Sequence, residues 1–217
     1  MPVKPALLLS VLFSVLISCT LSAQSVRAGM NLANFIDKND TATFHPFYDQ
    51  VVGWHFGAEV DFALSPVFSI ESGMHMTSRG FKLRVSDGND KLTLRTNIYY
   101  ISIPVSAKLY IPLSENFKFF ASLGPYGSVA VFGKAKAQLT QGSKSGETES
   151  NITFGEDGPL DRYDYGLQMG GGMQFSQKVE VGAYYDLGLA NIASDEDHGT
   201  LVQNRVLRFS LKVFFDK

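Results

Sequence analysis

From Val52 to Leu64 the chain alternates without a slip. Val52, Trp54, Phe56, Ala58, Val60, Phe62 and Leu64 are apolar, while Gly53, His55, Gly57, Glu59, Asp61 and Ala63 are small or polar. A period of two means a strand with one face in an apolar medium and the other in a polar or tightly filled one. A strand of a soluble sandwich is usually shorter and turns its polar side to water. Thirteen residues with Trp and Phe on the apolar side fit a tilted strand that crosses a bilayer, where lipid takes the place of a core.

The same alternation recurs and predicts eight strands: Val26 to Ala33, Val52 to Leu64, Phe68 to about Leu83, about Leu94 to Tyr110, Phe117 to about Phe132, about Tyr163 to Phe175, Val179 to Leu189, and about Arg205 to Phe215. Ser65-Pro66-Val67, the stretch from Pro112 to Asn116, and Ser176-Gln177-Lys178 make tight connections. The alternate connections, 34–51, 84–93, 133–162 and 190–204, are longer. An even strand count with short turns at one rim and long loops at the other is the outer-membrane pattern. The expected fold is therefore all-β, an eight-stranded antiparallel up-and-down transmembrane β-barrel with both ends in the periplasm. A water-soluble barrel of lipocalin type would place its aliphatic residues inside and its charges outside, the reverse of what is seen.

The N-terminus supports export. Lys4 precedes an apolar run from Ala6 to Ile17 broken only by serines, and Leu21-Ser22-Ala23 offers a small residue at the cleavage position before Gln24. The domains expected are a signal peptide, 1–23, and a barrel domain, 24–217. Cys19, the single cysteine, follows Leu16-Ile17-Ser18 in a setting like a bacterial lipobox, so lipidation there is the alternative processing route; either way there is no disulfide framework. Loss of Lys4 with the leader leaves 18 basic against 21 acidic residues, a balance of −3. That argues against a nucleic-acid partner, which wants a clustered basic surface. A mean hydropathy of +0.01 is what a barrel gives when half of each strand faces a polar interior.

On the inward positions the alternation places Glu59, Asp61, Glu71, Arg79, Arg95, Lys108, Lys118, Asp164, Glu180, Asp186, Arg208 and Lys212. An eight-stranded barrel is only wide enough for side chains to fill it, and charges held there must pair. The expectation is a salt-bridged plug, with a narrow polar path for ions or small solutes as the alternative. Tyr99, Tyr110, Tyr163, Tyr165, Tyr185, Phe117 and Trp54 read as interfacial aromatic girdles. Gly170-Gly171-Gly172, inside a strand, reads as room for curvature or a close interior neighbour.

Catalytic chemistry has one candidate cluster: His75, with Thr77 on the same face and Glu71 one repeat away, has the residue types of an ester-hydrolysing site. A lumen histidine held by carboxylates is the commoner arrangement. No Gly-x-Ser-x-Gly elbow, His-Glu-x-x-His or phosphate loop is present. No catalytic residue, cofactor or metal ligand is assigned. Asp195-Glu196-Asp197-His198, on an outer loop, is read as solvated, with calcium or a divalent bridge to lipopolysaccharide as the sharper alternative. The run from Gln141 to Glu147 reads as flexible and polar.

Several motifs resemble those of one family. Arg27-Ala28-Gly29-Met30-Asn31-Leu32-Ala33, placed directly after Ser-Ala-Gln, is similar to the start of PorT-like outer-membrane barrels of Bacteroidetes, a group akin to the OmpA/OmpX-like eight-stranded barrels. Tyr100-Ile101-Ser102-Ile103-Pro104-Val105 and Gly124-Pro125-Tyr126 resemble the group's fourth and fifth strands. Asp164-Tyr165-Gly166-Leu167 and Tyr184-Tyr185-Asp186-Leu187-Gly188-Leu189 resemble its sixth and seventh. The resemblance implies an eight-stranded outer-membrane protein of a group mostly without assigned activity, whose founding member supports a secretion system for surface proteins. One departure is that the chain runs on through Asp216-Lys217 after the terminal aromatic Phe215. Expected partners are the lipid bilayer and lipopolysaccharide, with other envelope or secretion-system proteins met through the outer loops. No nucleic acid is expected, and the barrel is expected to be monomeric. A lipid-modifying enzyme is the remaining alternative.

Overall fold

In the computed structural model, residues 24–39, 42–43, 48–88, 90–141, 144–155, 158–193 and 201–215 are described. The expected signal segment with Cys19, and the acidic cluster at 195–198, lie outside them. Eight long strands form the ring: β1 Gln24–Asn39, β2 Val51–Ser65, β3 Phe68–Asp87, β4 Asp90–Ser114, β5 Phe117–Gln141, β6 Tyr163–Phe175, β7 Val179–Gly188 and β8 Leu201–Phe214. Each pairs antiparallel with its sequence neighbours, and β8 closes onto β1 from Ser25↔Phe214 to Lys38↔Leu201. Closure removes every sheet edge within the bilayer, which is what lipid demands of backbone polar groups.

Alternation decides which side chain goes where. Trp54, Phe56 and Phe209 are 39%, 53% and 50% exposed on the outer wall, among some thirty large apolar residues that face outward. Glu59, Glu71, Lys108 and Lys212 are buried inside. Aromatic rings gather near both rims of this apolar band. Phe117 meets Phe119 and Phe175 beside the short turns, and Trp54, Phe56, Tyr99 and Phe132 form a continuous row near the other rim. Tyr110 departs from the girdle expectation: it is 8% exposed and points inward, since it shares the parity of Lys108 on β4.

Several connections are shorter and more ordered than their composition predicts. β3 and β4 run on to Asp87 and Asp90, leaving a two-residue tip, and β5 runs to Gln141. The polar stretch Lys144–Asn151 is itself a strand, paired with β5 from Lys134↔Asn151 to Gln141↔Lys144. Most of the expected flexible run is thus a hairpin. Together these segments make a sheet that rises beyond the girdle. A bulge starts it: Tyr99 pairs Phe132 while Tyr100 pairs Ala130, so Val131 and Phe132 both face out and the parity of β5 reverses above them.

Candidate functional site

Among the described residues, chemistry-bearing side chains converge in the lumen. Among the described residues, five cations (Arg27, Arg79, Lys108, Arg208 and Lys212) and six carboxylates (Glu59, Asp61, Glu71, Asp164, Glu180 and Asp186) are buried within it. They divide into two groups along the axis.

The group nearer the short turns centres on Glu71 of β3. The Arg27 guanidinium donates to both its oxygens at 2.9 Å, and Lys108 and Lys212 donate to Oε2 at 2.6 and 2.7 Å. Lys108 reaches on to Glu180 at 2.7 Å, where Tyr110 and Gln174 also donate. Lys212 continues to Glu59 at 3.0 Å and to Asp61. His75 Nε2 stands 2.7 Å from Glu59 Oε1, and Arg27 Nε stands 2.9 Å from the same oxygen. These residues come from β1, β2, β3, β4, β6, β7 and β8, so the network ties most of the wall together across its centre. Arg27 also lies 4.4 Å above the Tyr184 ring. Gly170 makes the space for that ring, because a Cβ there would collide with it.

The second group lies nearer the outer rim. Arg79 is paired with Asp164, which also accepts from Asn204 at 3.1 Å and Tyr126 at 3.2 Å. Arg208 meets Asp186 at 3.0 Å, and Arg79 lies between the rings of Tyr100 and Tyr126. Above this group the lumen turns apolar. Phe35, Ile98, Tyr100 and Ala130 pack with Ala190 and Ile192 of one connection, while Ile152, Phe154 and Leu160 of another lie against them. Asp161 N–H donates to Ile192 C=O at 2.8 Å, which joins the two connections over the mouth.

Ten of the twelve charges expected in the lumen are there. Arg95 is not: it is exposed, on the same outward parity as Tyr99 and Ile101. The reading failed because Arg95 lies beyond the lipid band, where a charge on the outer face meets water or headgroups. Lys118 has inward parity but sits beside the short turns, half-buried, with Nζ 5.7 Å from the Tyr110 ring. It caps the lumen's end and is not part of the plug. Conversely, Arg27 belongs at the heart of the network and was left off the expected set, although its position opposite Val26 and Ala28 was legible.

The hydrolytic cluster is not assembled. Thr77 Oγ1 accepts from Asn31 Nδ2 at 2.9 Å, and His75 faces Glu59. A different relay does exist: His55 lies 2.9 Å from Ser210 Oγ and 2.7 Å from Asn31 Oδ1. Its three side chains are buried inside the wall, and Asn31 also bonds the Trp54 and Ser78 carbonyls, bridging β2 and β3 where their ladder ends. That is a brace, since an ester carried by lipid has no approach to Ser210 Oγ.

The family model for the outer membrane protein beta-barrel domain matches residues 21–194. The chain belongs to this family. It is an outer-membrane protein. Among solved structures it is similar to the attachment invasion locus protein Ail of Yersinia pestis (14% identity, 89% of this chain and 99% of that one, TM-score 0.39). It is similar too to Neisserial surface protein A (13%, 88% and 96%, TM-score 0.43) and to OprG of Pseudomonas aeruginosa (12%, 90% and 97%, TM-score 0.46). No curated protein matches the chain.

Outside the bilayer, the barrel's raised sheet is held by its own ion pairs. Lys134 donates to Glu149 at 2.6 Å and Lys136 meets it at 2.7 Å, and these hydrogen bonds pull the carboxyl down to about 2. Because the folded value is depressed, the pairs' contribution is complete above the ordinary carboxylate range and is lost as pH falls through about 2. It is small at this exposure. Carboxyl-carbon NMR of the folded protein is expected to place the Glu149 midpoint well below the ordinary glutamate value, whereas an ordinary midpoint would mean the pairs do not persist.

Proposed function

We propose that this protein is a closed, non-enzymatic barrel that serves as a structural and interaction component of the outer membrane, engaging other envelope components through the sheet and connections at its outer rim. The carrying observation is the double closure of the lumen: Glu71 with Arg27, Lys108 and Lys212 spans it at one level, and the Phe35–Ile192 cluster covers its mouth. Ions passing through would have to break charge pairs made deep in a low-dielectric interior, which is costly. The chain is proposed to reach the membrane by export, with cleavage after about Ala23. A secretion-accessory role is one form this function takes, supported by the resemblance to PorT-like barrels.

Planar-bilayer recording of the refolded mature chain tests the reading. No steady conductance is expected in concentrated salt. A reproducible ohmic step would replace this reading with that of a narrow pore.

A further inference from the structure

The raised sheet ends on a strand that is paired along one side. Lys144–Asn151 returns antiparallel to β5, and among the described residues no strand lies against its other edge. The register says which main-chain groups that edge presents. Ile152 N–H donates to Gly133 C=O at 2.9 Å, which marks these two residues as a hydrogen-bonded pair. Antiparallel pairs alternate, so Ser150, Thr148 and Gly146 bond to β5, whereas Asn151, Glu149, Glu147 and Ser145 turn N–H and C=O away from it. Four donors and four acceptors thus point outward in one row. Natural proteins commonly guard such an edge with proline, lysines, a bulge or an inward-pointing charge. Residues 145–151 carry none of these, and their two glutamates face outward, bound to Lys134 and Lys136.

The two faces of the edge specify its occupant. On the outward face, register sets Lys82, Arg95, Lys136 and Glu149 side by side, so the rung ends on a carboxylate. A strand added there meets an anionic border, whose complement is lysine or arginine. On the inward face, register aligns Val85, Leu92, Leu139 and Gly146. Val85 and Leu139 are 50% and 45% exposed, and space is open where a Cβ of Gly146 would stand. A bulky apolar side chain fits beside Gly146 and extends that row. A second copy is the poorer occupant. Two barrels in one membrane both carry this strand back toward the bilayer, so their edges meet parallel, the weaker pairing, with glutamates against glutamates.

We infer that the free edge of Lys144–Asn151 takes an extended segment of another protein as an added antiparallel strand, with basic residues beside Glu147 and Glu149 alternating with apolar ones beside Gly146 and Thr148. The inference rests on the interaction role proposed above and deepens it by naming the surface and the chemistry of the partner.

The probe is a capped peptide of the strand's own length, 8 residues, alternating lysine and valine. It is offered to the mature chain in phosphatidylcholine nanodiscs. Saturable binding is expected from the anisotropy of the labelled peptide, with hydrogen exchange slowed at the amides of Ser145, Glu147, Glu149 and Asn151. Methylating the lysine main-chain nitrogens keeps every charge and is expected to abolish binding. In the protein, Glu147→Pro removes one outward donor without touching the ladder and is expected to weaken binding about tenfold, against about twofold for Glu147→Gln. Heat-modifiable migration checks that each variant is folded. Undiminished binding of the methylated peptide, or by Glu147→Pro, would show adsorption by charge and overturn the inference, as would the absence of saturable binding. Edge amides protected in the peptide-free protein, increasingly so as its concentration rises, would assign the edge to a second copy and overturn it too. Conductance judges the closed lumen separately, so either reading can fail alone.

Discussion

Replacing Glu71 with glutamine is expected to lower the unfolding free energy by about 3–5 kcal/mol, the cost of removing one member of a buried ion cluster. Glu71 is the acceptor shared by Arg27, Lys108 and Lys212, so its loss leaves three buried cations against Glu59, Asp61 and Glu180. The amide keeps the shape and one acceptor oxygen but not the charge. Asp61→Asn is expected to cost less, about 1–3 kcal/mol, because its partner Lys212 keeps both Glu59 and Glu71. Urea unfolding in lipid vesicles, or the temperature at which the folded band shifts on a gel, ranks the two. If Glu71→Gln unfolds no more readily than Asp61→Asn, the network is not centred where the distances place it.

The second large effect lies on the opposite face of the wall. Ile103, midway along the lipid-facing row of β4, is 50% exposed. On a soluble protein, arginine at such a site would be nearly neutral, within about 0.5 kcal/mol. Facing the bilayer midplane it costs about 2–4 kcal/mol. Thr93→Arg, on the same outward parity but above the girdle beside Gln138, is expected to stay within about 0.5 kcal/mol. Vesicle-based unfolding of both variants maps the band. Equal and negligible effects would mean that Ile103 does not face lipid.

Both predictions depend on the inside–outside rule, and that much was legible from residue order. Alternation from Val52 to Leu64, repeated along the chain, placed Glu59, Asp61, Lys108 and Lys212 inside and Trp54 and Phe56 outside, because a strand turns its side chains to opposite faces every residue. Tight turns, two of them marked by Pro66 and Pro112, and the even strand count were enough for the closed antiparallel ring. The rule misplaced Arg95, since alternation says which face a residue takes but not whether that height is in lipid. It also assigned Tyr110 to a girdle by residue type alone.

Who pairs with whom was beyond the linear chain. Glu71 meets Lys212 across 141 positions because the ring closes β8 onto β1, and only closure brings those walls within one side chain's reach. The bulge at Val131–Phe132 likewise has no marker in the residue pattern, yet it turns Lys134 and Lys136 outward and raises the basic sheet above the membrane. The residue pattern by itself determined a lipid-facing cylinder with a charged interior, because both faces of a strand are written in alternate letters. The tertiary structure alone decided which interior charges pair across the lumen, which apolar residues gather above them and which charges line the outer sheet, because those outcomes rest on register between strands distant in sequence.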